Sequence, residues 1–568
     1  MKRLLSLSIL TASSLLAVSP NVDAIQNSIS TPKIVEDKNQ ENKNELIEIA
    51  GKKSYAPMMV DDKSGKKLYV KEFLIEGNEH VNSNELQDLI KDFKDKELSF
   101  SELQNLASIV TKEYREKGYF VARAYLPKQN LQENNGVLKI AVIEGTYGEF
   151  KLENNSNVKD FLVQSMLNDA KARDNVVSTD TLERSMLIIN DTPGAKVTQA
   201  DVKPGSEIGS SDFLIKTEKT PLYDGYVVAD NHGSKYTGKN RVMAGVNLNS
   251  PLKLGDKLSL SGLVSNGNDI ENYKTGYDFP LMANGLRGQI NYSKTNYDLV
   301  KLGQTTPDGI YDGYTKTYEA GITYPIIRTR LENLNFSSVY SNKELKDYYD
   351  EAVSKDREIN SVKIGLDYTK NHTLFGFDSV SKIESSYTLG KLNIKDEQSK
   401  NNDKNGVNTQ DTYSKVNLNF GNEMQFNPIY SLNANVKTQY ALKNKNLDGS
   451  EDFTLGGSEG VKVFSDGEQS VENAMVLNLE TFAQLPNVSN LNHKIGLFYD
   501  LGSGYMSNNE KDLEFERRTL QDVGVGYYTN YKNAFTKLQV ARVVGGQDIE
   551  TENVGNISRV LFQGGLVF

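Results

Sequence analysis

The feature that most limits this chain is a two-residue alternation of apolar and polar side chains. Val242, Ala244, Val246 and Leu248 alternate with Arg241, Met243, Gly245 and Asn247. Val416, Leu418 and Phe420 alternate with Asn417 and Asn419, and Leu432, Ala434, Val436 and Thr438 with Asn433, Asn435, Lys437 and Gln439. Successive residues of a strand point to opposite faces, so each run carries one apolar and one wet face. A soluble sandwich buries the apolar face against a second sheet. A transmembrane barrel turns it to lipid and keeps the polar face around its interior. Periodicity alone does not separate the two, but three further features favour the barrel. The strand pattern runs from about Pro221 to Phe568 without a helical segment. Tight connections such as Ser250 to Asp256 alternate with long polar ones such as Asp396 to Asp411. The last strand alternates Val560, Phe562, Gly564, Leu566 and the terminal Phe568, an aromatic ending known as an outer-membrane barrel signal. With about 9–11 residues per crossing and about as many per connection, this length holds roughly 16 antiparallel strands.

Such a barrel requires export. Met1 to Ala24 reads as a signal peptide: Lys2 and Arg3 open it, Leu4 to Val18 is apolar, and Val22 and Ala24 suit a cleavage site. Beyond it the sequence has no run of about 18 apolar residues, so any further crossing must use strands. There are no cysteines, so no disulfide is expected. Trp is absent, yet 30 Tyr and 21 Phe suffice for aromatic girdles. A net charge of -10 speaks against nucleic acid as a partner.

Between signal and barrel lie a polar stretch and two α/β units. Residues 25–67 are rich in Lys, Asn and Glu and read as a linker, with a short helix over Ile34 to Ile49. From Leu68 to Gly145 the order is β-α-α-β-β. Phe73 and Ile75 mark a strand ending at Gly77-Asn78. Ser83 is read as the cap of a helix carrying Leu86, Leu89, Ile90 and Phe93. Ser99 and Glu102 form a capping-box pair before a helix with inner face Leu103, Leu106, Ala107, Val110 and Tyr114, closed by Gly118. Strands follow over Tyr119 to Leu126 and Val137 to Ile143. Tyr147 to Lys219 repeats the order: a strand at Phe150 and Leu152, helices over Val158 to Ala170 and Thr179 to Asn190, and strands over Lys196 to Val202 and Phe213 to Thr217.

Several strings carry a family resemblance. They are Val70-Lys-Glu-Phe-Leu-Ile-Glu-Gly-Asn78, Tyr114-Arg-Glu-Lys-Gly-Tyr-Phe-Val-Ala-Arg-Ala-Tyr-Leu-Pro127 and Gly136-Val-Leu-Lys-Ile-Ala-Val-Ile-Glu-Gly145. To these add Pro193-Gly194, Pro204-Gly205, Asp230-Asn231-x-Gly233, Thr237-Gly238 and Gly255-Asp256. As a set they resemble the two-partner secretion transporters of the haemolysin secretion/activation type, outer-membrane barrels preceded by POTRA domains. The resemblance runs from about Leu68 to Phe568 and implies POTRA domains over 68–145 and 146–219 and a transmembrane β-barrel over 220–568, preceded by the signal peptide over 1–24 and the extension over 25–67, whose short helix is a candidate plug of the pore. It also implies an inner loop tipped by Val-Arg-Gly-(Tyr/Phe) and a lumen-wall Phe-x-Asp-x-Gly motif. The wall motif is intact as Phe498, Asp500 and Gly502. The tip reads Val461, Lys462, Val463 and Phe464, with Lys for the Arg and Val for the Gly. A loop in a wet pore needs a charge-assisted bond to hold one place. Lys supplies one without the bidentate fork of Arg, so a Lys462–Asp500 pair, weaker than usual, is expected.

The implied function is recognition of a partner exoprotein, haemolysin- or adhesin-like, in the periplasm and its passage to the cell surface. Outer-membrane lipid, periplasmic chaperones and the barrel-assembly machinery are the other partners implied. Two rivals come from the same architecture: a barrel-assembly insertase, which carries more POTRA domains as a rule, and a passive porin, which needs no periplasmic arm. A soluble β-rich adhesin is the third. Enzymatic chemistry is not expected. Gly456-Gly-Ser458-Glu-Gly460 fits a nucleophile pattern, but that pattern works on a strand-to-helix elbow, and none is visible. His80, His232, His372 and His493 are scattered without metal-ligand spacing and read as surface or loop residues. No cofactor or metal is implied. The acidic residues of the wet face and of the loops read as solvated charges.

Overall fold

A computed structural model describes residues 50–51, 67–130, 133–234, 237–298, 311–507, 517–550, 555 and 557–568. The signal peptide and the helix expected over 34–49 lie outside these residues.

The first α/β unit is built from strands Leu68–Val70, Glu72–Glu76, Lys96–Leu98, Arg123–Tyr125 and Val137–Ile143 and helices Ser83–Ile90 and Phe100–Glu116. Its core joins Phe73 and Ile75 to Leu86, Ile90, Leu103, Leu106, Val110, Tyr114, Leu138 and Ile140. The capping box at Ser99 forms in both directions. The cap of the preceding helix is Asn82, one residue earlier than Ser83: its side chain accepts from the Asn84 amide, and Ser83 instead accepts from Asn78. The strand expected over Tyr119 to Leu126 shrinks to Arg123–Tyr125. Residues 119–122 turn away because Phe120 and Val121 are drawn into the core of the second unit.

That second unit orders its sheet as Ala50–Gly51, Lys196–Pro204, Ser210–Glu218 and Thr146–Asn155. Its helices are Asp160–Arg173 and Thr179–Asp191. The first starts after Val158, which is buried ahead of the helix. The two units meet at a polar junction. The Gly118 carbonyl accepts from the Thr179 amide at 2.9 Å. Glu144 gathers the amides of Glu79 and His80 at 2.7 and 2.8 Å and the Tyr114 hydroxyl at 2.8 Å. Burial pushes the Tyr114 phenol above its ordinary range, which keeps it a donor. His80 is not a free surface histidine. Its Nδ1 lies 2.6 Å from Glu144 and its Nε2 3.2 Å from Asp174 of the second unit. The hydrogen bond to Glu144 raises its pKa above the ordinary histidine value.

Tyr223–Asp230 to Ser558–Val567 form a closed barrel of 16 strands, sealed by antiparallel pairing of the first strand with the last. Closure leaves no unpaired edge, the condition for a sheet in lipid. Val242, Val416, Leu418, Val560, Leu566 and Phe568 are exposed on the outer wall. Phe568 also closes the seam, exchanging backbone hydrogen bonds with Gly225 at 2.8 and 2.9 Å. The tight 250–256 connection sits against the second α/β unit, where the Lys159 amide donates to the Lys253 carbonyl. The long 396–411 connection, at the opposite end, carries helix Glu397–Asn405.

Two more contacts dock the second unit. Arg184 is buried and donates to the carbonyls of Pro325 and Ile326, near the end of strand Tyr311–Arg328, and of Asn284 in a barrel turn. Arg328 pairs with Asp191 at 2.7 and 2.9 Å. Among the described residues no helix is long and apolar enough to cross a membrane.

Candidate functional site: a loop held inside the barrel

Residues 442–472 leave strand Tyr430–Ala441 and fold back between the walls. Phe453–Thr454 pairs antiparallel with Ser470–Val471, making a small hairpin. Beyond it the tip closes on itself, with Val461 donating to the Leu455 carbonyl at 2.9 Å and Gly457 to Phe464 at 3.0 Å. Gly457 has a positive φ of 98°, which glycine adopts without strain. The tip is apolar on its outside. Leu455, Val461, Val463 and Phe464 are buried against wall residues Val476, Phe498, Leu520 and Ala541.

The wall motif lies on strand Leu491–Tyr505. Lys462 Nζ sits 2.9 and 2.8 Å from the two oxygens of Asp500. It also lies 4.5 Å from the centre of the Phe498 ring. The cation thus meets a carboxylate and the negative face of a ring, both out of bulk water. Asp500 is fully buried, so removing its cation would strand a charge. Gly502 lets the loop approach: a Cβ there would come within 2.9 Å of Val461 Cγ2.

Three partners of this site carry no motif. Asn478, Asp500 and Asp522 are consecutive register partners on three neighbouring strands. Asn478 donates to Asp500 at 2.7 Å and to the Gly460 carbonyl at 2.8 Å. Asp522 accepts the Val463 amide at 2.6 Å. Arg559, on the last strand, donates to the Phe464 carbonyl at 2.7 Å. Only the barrel register brings these together. A reading of the sequence strand by strand would have needed the stagger between strands to find them.

The rest of the loop is also tied to the wall. Glu451 accepts from Lys343 at 2.8 Å and from Lys415 at 2.9 Å. Asp448 pairs with Arg357 at 2.6 Å and Glu468 with Arg518 at 2.8 Å. These carboxylates are buried, not solvated, which corrects the expectation for the acidic residues of the loops. A loop filling the lumen displaces the water that would have solvated them, so each needs a cation. His232 is a loop residue as expected, just beyond strand Tyr223–Asp230, but it is buried, at 4% exposed. His372 and His493 stand within strands Ala352–Leu374 and Leu491–Tyr505. Ser458 lies in the turn of the loop tip, far from any strand-to-helix elbow.

Comparison with known proteins follows the same lines. The family model "Haemolysin secretion/activation protein ShlB/FhaC/HecB" matches residues 209–527. A ShlB-type POTRA model matches residues 68–145. The chain is 29% identical over 459 residues to the Heme/hemopexin transporter protein HuxB of Haemophilus influenzae, covering 80% of this chain and 79% of that one. It is 22% identical over 359 residues to the Hemolysin transporter protein HpmB of Proteus mirabilis, covering 61% and 62%. Among solved structures, CdiB from Escherichia coli superposes with a TM-score of 0.77 at 20% identity, covering 98% of this chain and 100% of that one.

Proposed function

The chain belongs to the haemolysin secretion/activation family of two-partner secretion transporters, and from that premise we propose that it carries an unfolded partner exoprotein from the periplasm through its own barrel to the cell surface. It is an outer-membrane β-barrel with its POTRA domains in the periplasm. The observation that carries the proposal is the loop over 442–472, lodged in the lumen with a small apolar tip and tied to the wall along its length by polar bonds. A plug held this way is releasable, because water can take over each polar partner once the loop moves. An extended cargo can first add to an edge of the periplasmic sheets. Glu72–Glu76 and Thr146–Asn155 are such edges. Cargo passing as an extended chain then replaces the loop in the pore.

The cargo is proposed to be a large haemolysin- or adhesin-like exoprotein. The names of the relatives add haem- and haemopexin-related proteins to that class. Transport, not catalysis, is the proposed activity, and no cofactor enters it. Chaperones and the barrel-assembly machinery are proposed only for the insertion of the chain itself. The insertase and porin readings fit less well. The described chain carries two POTRA-like units, and a passive pore gains nothing from a docked periplasmic arm.

The test is release of a co-expressed partner exoprotein into the medium. Release should depend on this protein and should change when Lys462→Ala frees the loop tip. Equal release with and without the transporter refutes the function. Unchanged release in Lys462→Ala refutes the role of the latch.

A further inference from the structure

The loop tip departs from the family pattern at two adjacent positions, and the second departure has a partner of its own. Val463 stands where the pattern has Gly, and its amide donates to Asp522 at 2.6 Å. Asp522 is fully buried and faces Asp500 across a register pair of neighbouring strands. Its other oxygen, Oδ1, accepts no hydrogen bond among the described residues, and the side chain lies within reach of the Asp500 carboxyl. A buried carboxylate beside a second buried carboxylate is costly, and one hydrogen bond from the loop is its visible compensation. The lysine next door is bonded to the other acid and reaches Asp522 through charge alone. Its Nζ is taken by the two oxygens of Asp500.

We propose that Asp522 is a second anchor of the inner loop, a positioning residue that grips the tip through the backbone of Val463 independently of the Lys462 side chain. This rests on the reading that the loop must leave the pore for transport. In that reading the fork of an arginine is replaced by two separate holds: a side-chain ion pair on Asp500 and a main-chain hydrogen bond on Asp522. The backbone amide is available to Asp522 whatever side chain stands at 462. Each hold therefore contributes to the retention of the tip, and neither depends wholly on the other.

The chain has no cysteine, so a single Ser458→Cys reports the loop cleanly. The measurement is its rate of labelling by a large, membrane-impermeant maleimide in outer-membrane vesicles, with heat-modifiable gel migration checking that the barrel is folded. Asp522→Leu, which removes the acceptor, should raise the rate about 10- to 100-fold, as losing a charge-assisted hydrogen bond does. It should also raise the rate in a Lys462→Met background, by a factor that the closeness of Asp500 and Asp522 can alter. Asp522→Asn keeps an oxygen for the amide and should stay within a few-fold of wild type. The proposal is overturned if Asp522→Leu leaves the rate unchanged, if its effect vanishes beside Lys462→Met, or if Asp522→Asn opens the loop as far as Leu does. Labelling needs no cargo, so failed secretion with normal labelling would count against the transport reading alone.

Discussion

Replacing Gly502 by Ala should loosen the loop without unfolding the barrel. The added Cβ would stand 2.9 Å from Val461 Cγ2, 3.4 Å from Leu455 Cβ and 3.5 Å from the Leu455 carbonyl. Only the first is too close. Val461 is fully buried and β-branched, so its methyl cannot swing aside cheaply. Overpacking of this kind costs about 1–3 kcal/mol. Gly502 is not among the positive-φ glycines, so the alanine brings no backbone strain. The reduced freedom of the unfolded chain favours alanine, but it cancels here, because the barrel is folded whether the loop is in or out. The clash therefore falls on loop docking alone and should raise the open fraction about 5- to 150-fold. Single-channel recording in planar bilayers reads that fraction directly. Val461→Ala removes the offending methyl, so the double variant should stay closed more of the time than Gly502→Ala. Wild-type gating in Gly502→Ala, or no reversal in the double variant, would refute the packing argument.

Two further outcomes concern the periplasmic arm. The folded-state pKa of His80 is raised, so its share of stability is complete below the unfolded value of about 6.5 and is lost as pH rises through the higher folded value. Hydrogen exchange at the 174–180 junction of the full protein should accelerate over that rise, and His80→Gln should flatten the dependence. Arg184→Met keeps the length of the side chain but leaves the carbonyls of Pro325, Ile326 and Asn284 without its donors. A loss of about 1.5–3 kcal/mol of docking should follow. Spin labels on Lys171→Cys and Asn427→Cys should show a broader distance distribution, and an unchanged one would exclude Arg184 as the clamp.

Much of the architecture was open to a reading of the residues. The alternation around Val242 and Val416 required a two-faced sheet. The Ser99–Glu102 pair was enough to start a helix, because a capping box is a local bond. The misreadings arose where two local solutions compete. Asn82 and Ser83 are both good caps, and a turn at Asn78 decided between them. Residues 119–122 alternate like a strand, yet the neighbouring domain claims Phe120 and Val121.

The candidate site divides in the same way. Lys462, Asp500 and Gly502 could be picked out because they belong to short motifs. Asn478, Asp522 and Arg559 could not, since each is one more polar residue on a wet face until the register is known. Strand periodicity is a property of neighbours along the chain, and so the residues by themselves determined a two-faced sheet preceded by two small α/β units. Which carboxylates are dry, which cation each one meets and where the loop is pinned depend on strand stagger and on a loop shutting water out of the lumen. Those are distances between residues far apart in sequence, and closure of the barrel decides them.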